Sequence, residues 1–180
     1  MRKSIGIDLD CTTNKLLEVW LDRYNKDYND NLTVMPKWNL QDFVKDECGS
    51  KIFDYLHEPG FFYNLDVQEG APEVIEWLYY NYDVYFVTAY TPDVCVDKAN
   101  WIKKYLPFFD TEKIIFCNNK GVLNLDYLID DGAHNIIAFK QTGIVFNYPH
   151  NQDLDPAKYP NRVNNWKEVK DFFIAESINK

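Results

Sequence analysis

Two aspartates separated by a single residue, Asp8 and Asp10, lie near the start of the chain. They follow the short apolar run Ser4–Ile7, which predicts a buried strand. Because side chains alternate along a strand, the two carboxylates share one face and can converge on a pocket at the strand end. Taken alone the pair is weak evidence, since acids in that position are usually solvated or cap the next helix.

Three further polar features also follow apolar runs. Thr88, Lys120 and the pair Asp130 and Asp131 each lie at or just beyond the end of such a run. Each has an ordinary explanation by itself. Threonine is common in strands, a loop lysine is usually a solvated charge, and acids after a strand often cap a helix.

Taken together, these features lie at the carboxyl ends of predicted parallel strands, the edge at which open α/β sheets place their sites. Asp8, Asp10 and Asp130 offer hard oxygen ligands suited to Mg²⁺. Thr88 and Lys120 can donate hydrogen bonds to phosphate oxygens. Asp8 can attack phosphorus while Asp10 transfers the proton. The set indicates Mg²⁺-dependent phosphoryl transfer.

The elements that must position this set alternate between strands and helices. Runs typical of buried strands lie at 4–7, 84–87, 114–116, 127–129 and 144–146. Helical patterns follow Gly70, extend from Thr91 to Leu106, and run from about Asn164 towards Phe173. The alternation predicts an α/β fold with a mostly parallel, Rossmann-like sheet.

The interval between the first two strands breaks this alternation. It contains no convincing buried strand and two helix-like stretches, Leu16–Tyr28 and 40–56. We interpret it as a small helical cap over 14–66, inserted into a catalytic core made of 1–13 and 67–180. The alternative is that these helices simply pack on the sheet.

Composition narrows the function classes. The 180 residues are 46% hydrophobic and carry a formal net charge of -9, which argues against binding nucleic acid or an anionic membrane through a basic surface. No apolar stretch reaches the length of a membrane span. The four cysteines form no CxxC pair, so we expect a reduced, cytoplasmic chain. The phosphate-binding loop, GxGxxG and GxSxG patterns are absent.

The ordered set of Asp-x-Asp, Thr, Lys and Asp-Asp resembles the haloacid dehalogenase superfamily of phosphohydrolases. Longer stretches resemble the 5'(3')-deoxyribonucleotidases in particular. They are VWLDRYNKDYNDNLT, KWNL, EPGFFYNLDVQEGAPEVIEWL, LIDDGAHNIIAF, NYPHNQ and RVNNWKEV. One departure is Cys11, where the family more often has Gly or Asp directly after the second aspartate.

The resemblance implies that Asp8 is the nucleophile and that Asp10 is first the general acid and then the general base. It implies that Thr88 and Lys120 hold the phosphate. Mg²⁺ would be bound by Asp8, the backbone carbonyl of Asp10, and Asp130. Asp131 would support the site by orienting water or Lys120. The implied substrate is a small phosphomonoester, a deoxynucleotide in particular, with deoxyribose preferred to ribose and pyrimidines to purines.

Aromatic residues of the cap are candidates for a base or sugar pocket, above all Trp38 and Phe62. The competing interpretation is that aromatic residues there form a hydrophobic hinge between cap and core. His134 is expected at a helix start without a catalytic part, and His150 carries no separate signal. The oligomeric state is not fixed by the sequence, which is compatible with a homodimer.

Four other functions compete with this interpretation. The first is a phosphatase for another phosphometabolite, such as a sugar phosphate, since only the cap selects the substrate. The second is a receiver-like module that accepts phosphate as a signal. In receivers the acidic pair ends the first strand and the phosphoacceptor ends a later one, whereas in this chain Asp-x-Asp comes first and Asp-Asp comes last. The third is an inactive binding module, which is disfavoured because no catalytic position is lost. A dehalogenase is disfavoured because Asp10 and the Mg²⁺ set suit phosphoryl transfer.

Overall fold

Six strands form one parallel sheet in the computed structural model, which describes residues 2–178. The strands are β1 Ser4–Ile7, β2 Asp83–Thr88, β3 Ile114–Phe116, β4 Tyr127–Asp130, β5 Thr142–Phe146 and β6 Arg162–Val163. Their order across the sheet is β3-β2-β1-β4-β5-β6, and every neighbouring pair is parallel. The predicted α/β class with a parallel sheet is therefore confirmed. β6 was not predicted.

Within residues 2–178, five α-helices accompany the sheet. They are α1 Leu16–Tyr28, α2 Ala71–Asn81, α3 Cys95–Tyr105, α4 Ala133–Ala138 and α5 Trp166–Ile178. Gly70 precedes α2 with φ 74°, a left-handed conformation that glycine adopts without steric cost. The predicted start of α3 at Thr91 is wrong. Val94 N–H donates to Thr91 O at 3.1 Å, which closes a turn before the helix begins.

The interval between β1 and α2 is helical but irregular. After α1 it contains 3₁₀ segments at Leu40–Asp42, Gly49–His57 and Phe62–Asn64. The stretch 40–56 is therefore not one continuous helix, because Gly49 takes φ 51° in its middle. The two ends of the interval lie side by side, because Lys15 N–H donates to Asp66 O at 2.9 Å. Such adjacent ends are what an inserted segment needs, while the cap boundaries stay a prediction.

One hydrophobic core continues from the sheet into this interval. Ile5 and Ile7 of β1 belong to the same buried cluster as Trp20 of α1 and Ile52 of the 3₁₀ segment. The buried Trp101 of α3 donates its indole N–H to Leu65 O at 2.8 Å, which satisfies its polar atom. Within residues 2–178, no helix combines the length and apolar character needed to cross a membrane.

Candidate active site

The sequence-predicted polar residues meet at the carboxyl edge of the sheet. Asp8 directly follows β1, Thr88 ends β2, and Asp130 ends β4. Lys120 begins the 3₁₀ turn Lys120–Val122 after β3. Since β3, β2, β1 and β4 are successive neighbours in the sheet, their four ends open on the same edge. All four side chains are buried.

The turn after β1 is shaped by its own side chains. Thr13 Oγ1 donates to Asp8 O at 2.7 Å, and Asn14 Oδ1 accepts from the backbone N–H of Cys11 at 3.1 Å. Asn14 Nδ2 in turn donates to Asp10 Oδ1 at 3.0 Å. Cys11 takes φ 61°, a left-handed conformation that favours glycine. These bonds hold the chain in a tight turn that aims Asp8 and Asp10 at one cavity.

Lys120 joins the carboxylates that end β1 and β4. Its ammonium group donates to Asp8 Oδ1 and to Asp130 Oδ2 at 2.6 Å. Asp130 Oδ1 accepts from Gly132 N–H at 2.8 Å and from Asn135 Nδ2 at 3.0 Å. Three donors therefore fix the orientation of the Asp130 carboxylate.

Asp131 is held from a different direction. His150 Nε2 lies 2.8 Å from Asp131 Oδ2, and Thr12 Oγ1 donates to Asp131 Oδ1 at 3.3 Å. Asn151 Nδ2 donates to Asp131 O at 2.9 Å. His150 was assigned no role from the sequence, so this partner is new. His150 lies in a turn 19 residues after Asp131, and no hydrophobic periodicity in the sequence relates the two residues.

Lys98 is a second site lysine that sequence reasoning missed. It lies on α3, is almost fully buried, and donates to Asp10 Oδ2 at 2.6 Å and to Thr88 Oγ1 at 3.0 Å. A signal existed, because Trp101 and Ile102 follow it by three and four residues and are buried. A lysine on the apolar face of a helix is unusual unless it has a buried partner.

Burial sets the electrostatics of the cluster. It raises the pKa of the Asp8 carboxyl well above its ordinary value, an effect that Lys120 opposes and the neighbouring aspartates reinforce. Burial also raises the pKa of Asp131, although the hydrogen bond from His150 opposes the rise. Burial by itself lowers the pKa of Lys120, but Asp130 and Asp8 outweigh it and bring that pKa above its ordinary value. Additional positive charge would therefore stabilise the ionised carboxylates.

The carboxylate cluster fits a divalent cation. Side-chain oxygens of Asp8, Asp130 and Asp131 all lie within 4.8 Å of one another, and all three residues are buried. Hard carboxylate oxygens in this number suit Mg²⁺ or a similar ion. The sequence placed Asp131 in a supporting part only. The structure adds its carboxylate to the oxygens within reach of one ion.

A cavity of about 390 Å³ opens from this cluster towards the 14–66 interval. Its polar floor includes Asp8, Asp10, Lys120, Asp130 and Asp131. Its apolar lining comes from the 14–66 interval and consists of Leu16, Leu17, Trp20, Met35, Trp38, Phe53 and Leu56. A charged end and an apolar end within one cavity suit a ligand that carries both an anion and a flat apolar ring.

The two predicted base-pocket residues have different positions. Trp38 lines the cavity and is 53% exposed. Phe62 is not among the described residues that line it, and the prediction that it forms the wall is not supported. Its ring is buried under the Lys98 ammonium, 4.6 Å from the ring centroid, and packs edge-on against Phe61. Phe62 thus packs beneath the site lysine.

Comparison with known proteins gives one consistent family. The family described as 5' nucleotidase, deoxy (pyrimidine), cytosolic type C protein matches residues 2–178. A 5'(3')-deoxyribonucleotidase from Clostridium acetobutylicum is 43% identical over 179 residues, covering 98% of this chain and 97% of the relative. A 5'(3')-deoxyribonucleotidase from Bacillus subtilis is 32% identical over 175 residues, covering 94% of this chain and 98% of the relative.

Solved structures show the same fold at much lower identity. A haloacid dehalogenase-like hydrolase from Streptococcus pneumoniae matches with a TM-score of 0.67 at 14% identity, covering 96% of this chain and 98% of its own. A haloacid dehalogenase-type hydrolase from Bacillus subtilis, solved bound to magnesium, matches with a TM-score of 0.58 at 14% identity, covering 95% and 98%.

Proposed function

Since this chain belongs to the family of 5' nucleotidase, deoxy (pyrimidine), cytosolic type C proteins, with the fold of haloacid dehalogenase-like hydrolases, we propose that it is a phosphoric monoester hydrolase acting on deoxyribonucleoside monophosphates. The observation that carries the proposal is the cavity itself. Lys120 and a carboxylate cluster line one part of it, with the buried Lys98 bonded to Asp10 behind them, and aromatic and aliphatic side chains line the rest.

The phosphate of the substrate would bind at the polar floor. Lys120 and Lys98 supply two fixed ammonium groups, and the Thr88 hydroxyl lies 3.0 Å from Lys98 Nζ. Positive charge at this position offsets the negative oxygens that otherwise repel an attacking carboxylate. Because these donors are already oriented and buried, little reorganisation is needed when charge develops on the phosphoryl group.

Asp8 is the proposed nucleophile. Its carboxylate oxygen forms a bond to phosphorus while the ester bond to the leaving oxygen breaks, which gives a phosphoryl-aspartate. Asp10 gives its proton to the leaving oxygen. In the second step Asp10 takes a proton from water, the water oxygen bonds to phosphorus, and the bond to Asp8 breaks to release phosphate. The Asp10 side chain is 19% exposed, so it can reach both the substrate and water.

The proposed metal ion is Mg²⁺, held by Asp8, Asp130 and the backbone carbonyl of Asp10, with Asp131 as a further oxygen donor. When bound, such an ion supplies positive charge next to the phosphate oxygens. Lys120 already contacts Asp8 and Asp130, so this lysine keeps both carboxylates oriented.

Phosphate release from a panel of monoesters tests the proposal. We expect deoxyuridine monophosphate to exceed uridine monophosphate in kcat/KM, and pyrimidines to exceed purines, with a sugar phosphate far behind. An apolar wall leaves a 2'-hydroxyl without a partner, and such a loss costs about 1–3 kcal/mol, or roughly ten- to a hundredfold. A sugar phosphate that is turned over best would overturn the nucleotidase assignment, and no phosphate release with any monoester would overturn the phosphatase.

A further inference from the structure

His150 lies between the carboxylate cluster and the chain segment 29–39, which carries Trp38. It belongs to the 3₁₀ turn Pro149–Asn151 after β5, and its side chain is fully buried. On one side its Nε2 lies 2.8 Å from Asp131 Oδ2. With Asp131 ionised, its carboxylate only accepts hydrogen bonds, so the imidazole carries its proton on Nε2 and donates it.

The position of this imidazole is fixed by its neighbours. The Tyr148 ring stacks on it, with 5.4 Å between centroids and 20° between planes. Asn151 Nδ2 donates to Asp131 O at 2.9 Å and to Phe146 O at 2.8 Å. Arg162 donates to Asn151 O at 3.0 Å. The turn around His150 is therefore tied to the ends of both β4 and β5, and little freedom is left to the ring.

The other side of the imidazole meets Trp38. The two rings lie 5.2 Å apart at 75°, an edge-on contact, and Trp38 also lies edge-on to His134 at 4.6 Å. Residues 30–39 form neither helix nor strand, so no backbone ladder fixes Trp38. Ring contacts of this kind contribute about 0.5–1.5 kcal/mol each. Among residues 2–178, the two histidines are thus the aromatic rings that pack against this cavity-lining tryptophan.

We propose that His150 is a positioning residue for both ends of the cavity. Its Nε2–H holds the Asp131 carboxylate in the cluster, while its ring seats Trp38 against the base of the substrate. The inference rests on the proposed nucleotidase function. It predicts that the two contacts of one side chain affect different kinetic constants, because Asp131 belongs to the reacting end and Trp38 to the binding end.

Two substitutions separate these contacts. His150→Phe keeps an aromatic ring for Trp38 but removes the donor to Asp131. His150→Gln removes the ring but keeps an N–H donor near the position of Nε2. Trp38→Ala removes the same ring contact from the opposite side. The exposed Tyr80 of α2 offers a matched control, since Tyr80→Ala deletes an aromatic ring that does not line the cavity.

Kinetics with deoxyuridine monophosphate and p-nitrophenyl phosphate provide the readout. His150→Phe is expected to lower kcat about ten- to a hundredfold with both substrates, the range for losing a hydrogen bond to a charged group. His150→Gln and Trp38→Ala are each expected to raise KM for the nucleotide about three- to tenfold more than KM for p-nitrophenyl phosphate. The His150→Gln/Trp38→Ala double variant is expected to resemble Trp38→Ala, because once the tryptophan is absent the ring of His150 has no side chain left to seat.

Several results would overturn the inference while leaving the nucleotidase intact. One is an equal fall in kcat for the Phe and Gln variants, and another is additive KM effects in the double variant. If His150→Phe does not fold by circular dichroism, the Gln and Trp38 variants still decide the ring contact through their KM values. A wild-type enzyme inactive on both substrates would instead overturn the proposed function, and the inference with it.

Discussion

Mg²⁺ is expected to raise the unfolding temperature of this protein, because the cavity floor carries more negative than positive charge. Within residues 2–178 the cavity floor and its hydrogen-bond partners bring together four carboxylates and two ammonium groups. They are Asp8, Asp10, Asp130 and Asp131 on one side and Lys98 and Lys120 on the other. The formal excess is two negative charges, most of it buried, and burial without compensation is unfavourable.

The size of the effect follows from mass action. An ion that binds only the folded state at a hundred times its Kd adds about 2.7 kcal/mol to the free energy of unfolding. For a chain of 180 residues, each kcal/mol shifts the melting temperature by about 2–4 °C. We therefore expect a rise of about 5–11 °C between a chelator and saturating Mg²⁺.

Thermal unfolding followed by circular dichroism measures this rise, and two variants locate its origin. Asp130→Asn removes one charge from the cluster and is expected to lose most of the Mg²⁺ effect. Asp22→Asn makes the same chemical change on the exposed face of α1, where Asp22 pairs with Lys26 at 2.6 Å, and is expected to keep the effect. A wild-type shift below about 1 °C, or an equal shift in Asp130→Asn, would refute binding at the cluster.

Three further outcomes are expected. Asp8→Asn, isosteric but a poor nucleophile, removes phosphate release and leaves the circular dichroism spectrum unchanged; turnover in the folded variant would exclude Asp8 as nucleophile. Lys98→Met lowers kcat about 10²–10³-fold, the range for losing one preorganised donor, whereas Lys103→Met on the exposed face of α3 does not; equal kinetics for the two would contradict the role of Lys98. The hydrogen bond from Lys113 lowers the pKa of Asp83, so its stabilisation is present above about pH 4 and is lost as pH falls through the lowered pKa. Asp83→Asn therefore narrows the difference in the free energy of unfolding between pH 6 and pH 3, and an unchanged difference would argue against this pair.

The sheet was predictable because most of its strands are short apolar runs that can be recognised from the local sequence. β1 is a short apolar run that ends at Asp8, and such a run, buried on both faces, is typical of a parallel strand. The carboxyl-edge placement of Thr88 and Asp130 then follows from topology, since parallel strands end on the same side. β6 was not predicted because Arg162–Val163 is only two residues long, which is too short to show any hydrophobic periodicity.

The rest of the site depends on tertiary contacts that no local pattern encodes. His150 meets Asp131 because the turn after β5 folds back over the end of β4. The burial of Phe62 under Lys98 depends on how the 3₁₀ segment Phe62–Asn64 packs against α3, and the aromatic character of Phe62 alone could not distinguish a cavity wall from a support. Lys98 is the exception, because its spacing from Trp101 and Ile102 was readable as a buried lysine.

The hydrogen-bond partners of the carboxylates support the different roles proposed for Asp8 and Asp10. Lys120 joins Asp8 to Asp130, so these two acids share one cation at the buried end of the cluster. Asp10 instead uses Lys98 and Asn14, and its side chain stays 19% exposed. A nucleophile benefits from a fixed, dry setting, while a group that gives and then takes a proton needs access to water. Two lysines from different elements thus give neighbouring carboxylates the different surroundings that two chemical roles require.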